Sequence, residues 1–424
     1  MISIFFLILL GKWMRWASQI LRLGNGTSWP GYFILQIYPD FIREVLKRSD
    51  LTTILVSGTN GKTTTVKMIR DILQGQGKES IYNSSGSNME SGIASALIEH
   101  ASFRGRVAAE YGVFEVDERI LPRLLKNWSP DWIVLLNLFR DQLDRYGEID
   151  SILKMWKKAL EKLPLSTRVI LNVDDPQIAY LGKTVHAPLY FGLSQPADMP
   201  AGPVDALFCA ECDHKLIFDA FFLAHLGLWQ CPVCRLERPP LDYSLPVAPS
   251  LLGTCHQYNA LAAALLASKL EIPDDSILKV LSHFKPAFGR QEIVHYRKRQ
   301  FQLFLSKNPV SFNESLKAVQ QLQGKILWII VNRNAADGVD VSWLWDIHFE
   351  NAVQPEKIIV SGQAAEEVGI RLKYAFSSAV LIIEKNLKKA LRSVLEHSAE
   401  PVYVLPNYTA MLEVRKIIAG KKIP

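Results

Sequence analysis

From about residue 50 onward, short apolar, β-branched runs alternate with stretches whose apolar residues recur at helical spacing, the pattern of α/β layers. The runs predict strands over Thr52–Ser57, Ala109–Glu115, Trp132–Asn137 and Arg168–Val173. A second group falls over Ile326–Val331, Lys357–Val360, Val380–Ile383 and Val402–Leu405. Two breaks interrupt the pattern. One is a cysteine-bearing insert at 206–240, closed by Pro239-Pro240; the other is Lys285–Glu292, where a helical stretch stops at Pro286 and Gly289. The expected division is a helical segment over 1–45, a large α/β domain over 46–296 carrying the insert, and a smaller, Rossmann-like α/β domain over 297–424. Each α/β domain is expected to rest on a largely parallel sheet.

The first 22 residues read differently. Ile2 to Leu10 is apolar apart from Ser3, too short to cross a bilayer, which takes about 20 residues. No basic region precedes it and no small-residue cleavage site follows, which argues against a secretory signal. Trp13, Trp16, Ala17, Ile20 and Leu21 then recur at helical spacing, with Lys12, Arg15, Gln19 and Arg22 between them. Such a helix packs on the body of the protein or lies on an anionic membrane surface, and the two are compatible.

Composition narrows the classes. With 424 residues, 49% of them hydrophobic and 21% charged, the chain is a folded protein of more than one domain rather than a disordered one. A net charge of +6 suits an anionic ligand or surface without by itself indicating nucleic acid.

The sharpest chemical signal is Gly58-Thr59-Asn60-Gly61-Lys62-Thr63-Thr64-Thr65. It follows an apolar strand and opens a helix running to about Leu73, the context a phosphate loop requires. Glycines let backbone N–H groups turn toward phosphate oxygens, and the helix N-terminus adds partial positive charge. Gly58, Thr59, Asn60, Gly61, Lys62, Thr63 and Thr64 are the candidate nucleotide-binding residues. Lys62 is suited to the β- and γ-phosphates of ATP and the Thr63 hydroxyl to Mg²⁺. Val56 stands where the general pattern has its first glycine, so this is a shorter variant. Glu115, Asp117 and Glu118 lie at the end of a buried strand, where an acid can hold Mg²⁺; Glu115 is the first choice. Leu136-Asn137-Leu138-Phe139-Arg140-Asp141-Gln142-Leu143-Asp144-Arg145 is another strand end passing into a polar turn.

Cys209-x-x-Cys212 and Cys231-x-x-Cys234 are separated by 18 residues, the spacing of a Cys₄ zinc ribbon in which four thiolates close a structural tetrahedral site. Two such pairs this close fit Zn²⁺ better than a redox role. His214 and His225, inside the insert, are expected at the surface beside a complete ligand set. Cys255 reads as a small buried apolar residue and not as a nucleophile, although His256 adjoins it.

Three polar strings mark the smaller domain: Ser306-Lys307-Asn308-Pro309 with Phe312-Asn313-Glu314, Asn332 to Asp346, and Leu405 to Leu412. Each sits at the C-terminal edge of an expected strand, where ligands bind in open α/β sheets. Trp343, Trp345 and Asp346 read either as a rigid contact patch holding one acid or as a core tryptophan pair beside an N-cap.

Taken together, the phosphate loop, the acidic strand end, Asn137-Leu138-Phe139-Arg140-Asp141-Gln142-Leu143-Asp144 and Leu171-Asn172-Val173-Asp174-Asp175-Pro176 occur in the order seen in Mur ligases and folylpolyglutamate synthases. The resemblance extends through Asn259-Ala260-Leu261-Ala262-Ala263 and Gly289-Arg290-Gln291-Glu292. It implies a Mur-ligase-type phosphate-loop domain with an inserted zinc ribbon. It also implies ATP-dependent activation of a carboxylate as an acyl phosphate, with Asn259 and Arg290 joining the nucleotide site. Gln142 replaces the histidine most of these ligases have, so a histidine metal ligand does not carry over.

The zinc insert and the three C-terminal strings are similar to the branch of this family that amidates lipid II in peptidoglycan synthesis. That resemblance implies a ligase forming a C–N bond with glutamine as amide donor. It implies a heterodimer with a GatD-like glutamine amidotransferase subunit, lipid II as substrate, and a cytoplasmic place at the inner face of the membrane. It makes Asp346 the acid that supports the partner's cysteine–histidine pair, with Asp337 and Asp340 as second choices. Addition of an amino acid, as in Mur ligases or folylpolyglutamate synthase, is the alternative reaction. Nucleic acid is not expected, because the insert mixes Asp205, Glu211, Asp213 and Asp219 with Lys215, Arg235 and Arg238 rather than forming a basic stripe.

Overall fold

The computed structural model describes residues 3–20, 28–83, 87–140, 149–194, 205–243, 246–286, 288–351, 355–376, 379–396 and 400–420. Its first sheet grows around β1 (Thr52–Ser57). Ile54 and Val56 point into one apolar layer and Leu55 into the other, as the two-residue period of a strand dictates when both faces are covered. β1 pairs in parallel with β3 (Tyr111–Val116) and β4 (Trp132–Leu135), and Ser57 is level with Val116 and Leu135. With β2 (Ser80–Ile81), β5 (Arg168–Asn172) and β6 (Leu189–Phe191), the order is β2-β3-β1-β4-β5-β6, parallel throughout.

Helices α4 (Lys62–Gly75), α9 (Thr254–Lys269) and α10 (Asp274–Ser282) cover one face of this sheet. The other face is covered by α5 (Glu90–His100), α6 (Leu121–Asn127), α7 (Ile149–Leu160) and α8 (Pro176–Tyr180), together with α1 (Ile4–Ile20), α2 (Trp29–Ile37) and α3 (Phe41–Lys47). Ile4, Leu7 and Ile8 bury the inner side of α1, and Gly11 packs so closely that a Cβ there would lie 2.8 Å from Ile98. The stripe of Trp13, Trp16 and Ile20 faces outward instead. Leu21 and Arg22 lie outside the described residues.

The second sheet has the order β13-β12-β11-β14-β10-β9. β11 (Ile326–Ile330), β12 (Lys357–Ser361), β13 (Val380–Ile383) and β14 (Val402–Pro406) run parallel, with β10 (Arg299–Phe304) parallel to β14. β9 (Arg290–Tyr296) is an antiparallel edge strand. Around the sheet lie α11 (Pro309–Gln321), α12 (Ala365–Ala375), α13 (Leu387–Leu395) and α14 (Tyr408–Ile418). The β9–β10 hairpin turns on Arg297-Lys298, both with positive φ (48° and 62°). Its turn residues lack the Asn-Gly signature that normally announces such a hairpin, so the strand pattern alone does not reveal it.

The insert is fastened into the first domain. Its hairpin, β7 (Ile217–Leu223) and β8 (Leu226–Gln230), buries Phe222, Leu223 and Leu226 in the layer that holds α9. Trp229 Nε1 donates to the Val173 carbonyl at 2.9 Å. Asp174, fully buried, accepts from Arg238, from the Tyr258 hydroxyl at 2.8 Å and from the Leu193 amide at 2.8 Å. Burial pushes its carboxyl up to about 6, with Arg238 pulling the other way. A carboxyl raised in the folded state favours the fold at acid pH, and that contribution is lost as the pH rises through about 6. Arg238→Ala is therefore expected to lower stability by about 3 kcal/mol at neutral pH and by less near pH 5, read by urea titration.

Candidate functional site

Beyond Ser57 the chain turns through Gly58 (φ 140°) and Gly61 (φ 93°) before α4 begins at Lys62. At Gly61 only glycine fits, because its φ is positive and a Cβ would lie 2.1 Å from Asn259 Oδ1. The loop is fastened to the end of β4. Asn60 N donates to Asn137 Oδ1 at 2.9 Å, Asn137 Nδ2 donates to the Asn60 carbonyl at 3.1 Å, and Thr59 N donates to the Asn137 carbonyl at 2.9 Å. The loop that leads into α4 is thereby held in place, and the N-terminus of that helix suits an anion. Asn137 belongs to the strand-end string noted in the sequence, but nothing in its spacing marked it as the clamp.

The acids arrive from β3. Asn83 brackets Glu115 by accepting its amide at 2.9 Å and donating to its carbonyl at 2.8 Å. That holds the Glu115 carboxylate where Thr63 Oγ1 donates to it at 2.7 Å. Lys62 Nζ donates to Glu118 at 2.9 Å and to the Gly58 carbonyl. Burial opposes the Lys62 charge, but Glu118, Glu115 and Asp117 outweigh it and raise its pKa. Burial also pushes the Glu118 carboxyl up, against the pull of Lys62. One buried ammonium among three acids is costly to maintain. The donor set fits a polyphosphate and a hard divalent cation: Lys62 and the loop amides for phosphate, Thr63 Oγ1 and Glu115 for Mg²⁺.

Residues of the second sheet and its helices close this site; β9, which the expected boundary at 296 assigned to the larger domain, pairs in this second sheet. Arg290, at the head of β9, donates from Nη2 to Thr63 Oγ1 at 3.0 Å, and burial lowers its pKa. Asn308, N-cap of α11, donates to Asn60 Oδ1 at 3.1 Å. Between the C-terminal edges of the two sheets lies a cavity of about 480 Å³, lined by Thr59–Thr64, Glu115, Asn259, Arg290, Lys307 and Tyr408 among others. The structure thus brings Gly58, Thr59, Asn60, Gly61, Lys62, Thr63, Thr64, Glu115, Asn259 and Arg290 to one place, while Asp346 and the four cysteines stand elsewhere. Gln142 lies outside the described residues.

Cys255 and His256 also line the cavity. Burial, and then Glu314, push the Cys255 thiol up, the wrong direction for a nucleophile. Burial and Arg290 lower His256 to about 4, so it is neutral at physiological pH.

In the insert, the four Sγ atoms of Cys209, Cys212, Cys231 and Cys234 all lie within 4.8 Å of one another. The nearest pairs are 3.5 Å apart, well beyond a disulfide bond. Two matching turns aim them: Asp213 N donates to the Cys209 carbonyl and Arg235 N to the Cys231 carbonyl, and both turn residues have φ 59°. Four convergent thiols around one small core of Ala179, Leu216 and Trp229 fit a closed tetrahedral Zn²⁺. His214 is exposed, as expected of a surplus histidine. His225 is not: it is fully buried, 3.5 Å from Asp175 and against the Phe139 ring. Its place in the two-residue turn between β7 and β8, which packs on the first domain, accounts for the difference.

The three acids of the Asn332 to Asp346 string have different surroundings. Asp337 is buried and accepts from the amide and hydroxyl of Thr409. Asp340 accepts from Ser342 N and Oγ, both at 2.8 Å. Asp346 is half exposed at the end of a 3₁₀ turn and faces Arg140 Nη2 at 3.5 Å. Arg140 in turn holds buried Asp205. Trp343 packs on Phe312, whereas Trp345 is exposed beside Tyr374. The tryptophans therefore divide between core and surface, and the acid accompanies the surface one.

Comparison with known proteins agrees with this architecture. Residues 56–267 match the Mur ligase middle domain and residues 305–411 the MurT ligase C-terminal domain. The chain is 32% identical to the MurT subunit of lipid II isoglutaminyl synthase (glutamine-hydrolyzing) from Staphylococcus aureus strain COL, over 95% of this chain and 94% of that one. It is also 32% identical to the Streptococcus pneumoniae R6 protein of the same name, with the same shares covered. Among solved structures, a pseudomurein peptide ligase type C from Methanothermus fervidus shares the fold, with a TM-score of 0.68 at 21% identity over 89% of this chain and 80% of that one. Matched along nearly its whole length, the chain belongs to the MurT family of Mur-ligase-like enzymes.

Proposed function

We propose that this chain is the synthase subunit that amidates the α-carboxylate of D-glutamate in the lipid II stem peptide, giving D-isoglutamine with ammonia from a GatD-like glutaminase partner. The observation that carries the reading is the meeting of Lys62, Thr63, Glu115 and Arg290 around one cavity between the two domains. Similarity to proteins named as subunits of lipid II isoglutaminyl synthase supports the choice of substrate.

In the first step the γ-phosphoryl group of ATP passes to a carboxylate oxygen, leaving ADP and an acyl phosphate. Lys62 and the loop amides bind the phosphates, and Arg290 adds positive charge where it develops. Bound at Thr63 and Glu115, Mg²⁺ would neutralise phosphate charge. In the second step ammonia attacks the acyl carbon, the C–O bond to phosphate breaks, and the nitrogen loses a proton. Acyl phosphates hydrolyse, so closure of the second domain through Asn308, Lys307 and Tyr408 serves to exclude water.

With ATP, ammonium and lipid II, the isolated chain is expected to give amidated lipid II without glutamine. ADP release with a free amino acid and none with ammonium would instead favour the amino-acid-adding reaction. Asp346→Asn is expected to cut glutamine-supported amidation by the two-subunit enzyme about 10²-fold or more. Ammonium-supported amidation should stay within about twofold, because Asp346 lies outside the ATP cavity. Equal losses with both nitrogen sources would contradict a role toward the partner. No helix among the described residues is long and apolar enough to cross a membrane, and we place the enzyme in the cytoplasm at the inner membrane face, where its lipid-linked substrate is held.

A further inference from the structure

A helix on a protein surface normally turns polar residues to water. α1 and α2 do not. The outward face of α1 consists of Phe5, Phe6, Leu9, Trp13, Trp16 and Ile20, with Phe6 64% and Trp13 60% exposed. α2 continues it with Trp29, 68% exposed, Tyr32, Phe33 and Ile37. The inner sides of both helices are fully used, since Ile4, Leu7, Ile8 and Ile34 are buried and the Gly31 amide donates to Ser95 Oγ at 2.9 Å. An apolar face this continuous marks a contact surface.

Charge indicates what covers it. Neither helix contains an acidic residue. Lys12 and Arg15 flank the face of α1, and exposed Arg104 and Arg106 border the Phe103 ring, which lies 5.7 Å from Phe5. Arg15 pairs with Glu99, and Arg106 is 4.0 Å from Asp50. Lys12, 5.3 Å above the Phe103 ring, and Arg104 have no acidic partner among the described residues. Two copies of the chain meeting through this face would set basic rim against basic rim. A bilayer answers both features, taking aromatic and aliphatic side chains at the headgroup–acyl boundary and basic ones against anionic headgroups.

The face also lies close to the cavity. Gly31 sits against α5, where a Cβ would be 2.1 Å from the Ser91 carbonyl, and α5 begins just after Asn88 and Met89, which line the cavity. We infer that the outward faces of α1 and α2 dock on an anionic lipid bilayer and set the cavity mouth beside it. The benefit of this placement rests on the lipid-linked substrate proposed above; the docking itself does not.

Sedimentation of the full chain with vesicles tests the proposal. The wild-type chain should bind vesicles of phosphatidylglycerol and phosphatidylcholine, and bind phosphatidylcholine alone more weakly. The double variant Trp13→Ser/Trp16→Ser should bind at least about tenfold more weakly, with its circular dichroism and its amidation of a short-chain, water-soluble lipid II analogue unchanged. If that variant misfolds, quenching of wild-type tryptophan fluorescence by brominated lipid reads the same contact. Wild type left in the supernatant, equal binding by the folded variant, or a vesicle-free dimer that the variant turns into monomer would each overturn the docking. Vesicle binding without any amidation would leave docking standing and remove the ligase reading instead.

Discussion

Replacing Lys62 by Met is expected to lower ATP-dependent amidation by about 10³-fold, in line with losing a preorganised charge from a phosphoryl-transfer site. Lys62 is buried at the head of α4, reaching the Gly58 carbonyl and Glu118. From that position its ammonium is the one cation of the loop itself, and water cannot replace it. Arginine should not rescue the loss, because its larger planar fork does not fit a buried slot built for a compact ammonium. The variant should still fold. Glu118 then loses its partner, but burial already raises its carboxyl, so it takes up a proton rather than remaining a bare buried charge. Steady-state amidation together with thermal melting checks both halves: activity gone, fold retained. Amidation within about tenfold of wild type would remove the phosphate role from Lys62.

Removal of the ribbon metal should have the second-largest effect. Without metal, four thiols within 4.8 Å of one another are held together by the small core around Leu216 and Trp229 and by the backbone hydrogen bonds of their two turns. Stripping the metal with a chelator, or the pair Cys209→Ser/Cys231→Ser, should lower the melting temperature by about 5–10 °C. Proteolysis should then begin near Cys209–Leu216. The damage should reach activity, because Leu223 of the β7–β8 hairpin lines the cavity beside the phosphate loop and the hairpin is tied to Asp174 and Val173. Metal analysis should find one zinc per chain before treatment and none after it. A metal-free chain with an unchanged melting temperature would show that the ribbon needs no metal to hold its shape.

Features written in local spacing were the ones legible in the sequence. β1 and β13 lie where their apolar runs place them, and the other expected strands differ by a residue or two at their ends, where backbone pairing rather than side-chain pattern sets the limit. The phosphate loop and the two cysteine pairs are likewise contiguous signals. Neither hairpin is legible in the sequence, because their turns, Ala224-His225 and Arg297-Lys298, carry no glycine or asparagine. His225 is buried rather than at the surface for a related reason: whether a turn residue faces water depends on what the turn packs against. The clamps around the site, Asn83 on Glu115, Asn137 on Asn60 and Asn308 across the domain boundary, join residues far apart in the chain, and no short-range pattern records them. The helical stripe of Trp13, Trp16 and Ile20 was visible, but its spacing could not say which side of α1 the body would cover. The inner side was supplied by Ile4, Leu7 and Ile8.

If this cavity activates a glutamate carboxylate by phosphorylation for attack by ammonia, one oxygen of that carboxylate must leave with the phosphate. Lipid II labelled with oxygen-18 in that carboxylate, incubated with the chain, ATP and ammonium, tests it most directly by mass spectrometry of the released phosphate. Each amide formed should be accompanied by one phosphate carrying one labelled oxygen. Amide formed with unlabelled phosphate, or ATP hydrolysis with no amide, would contradict it.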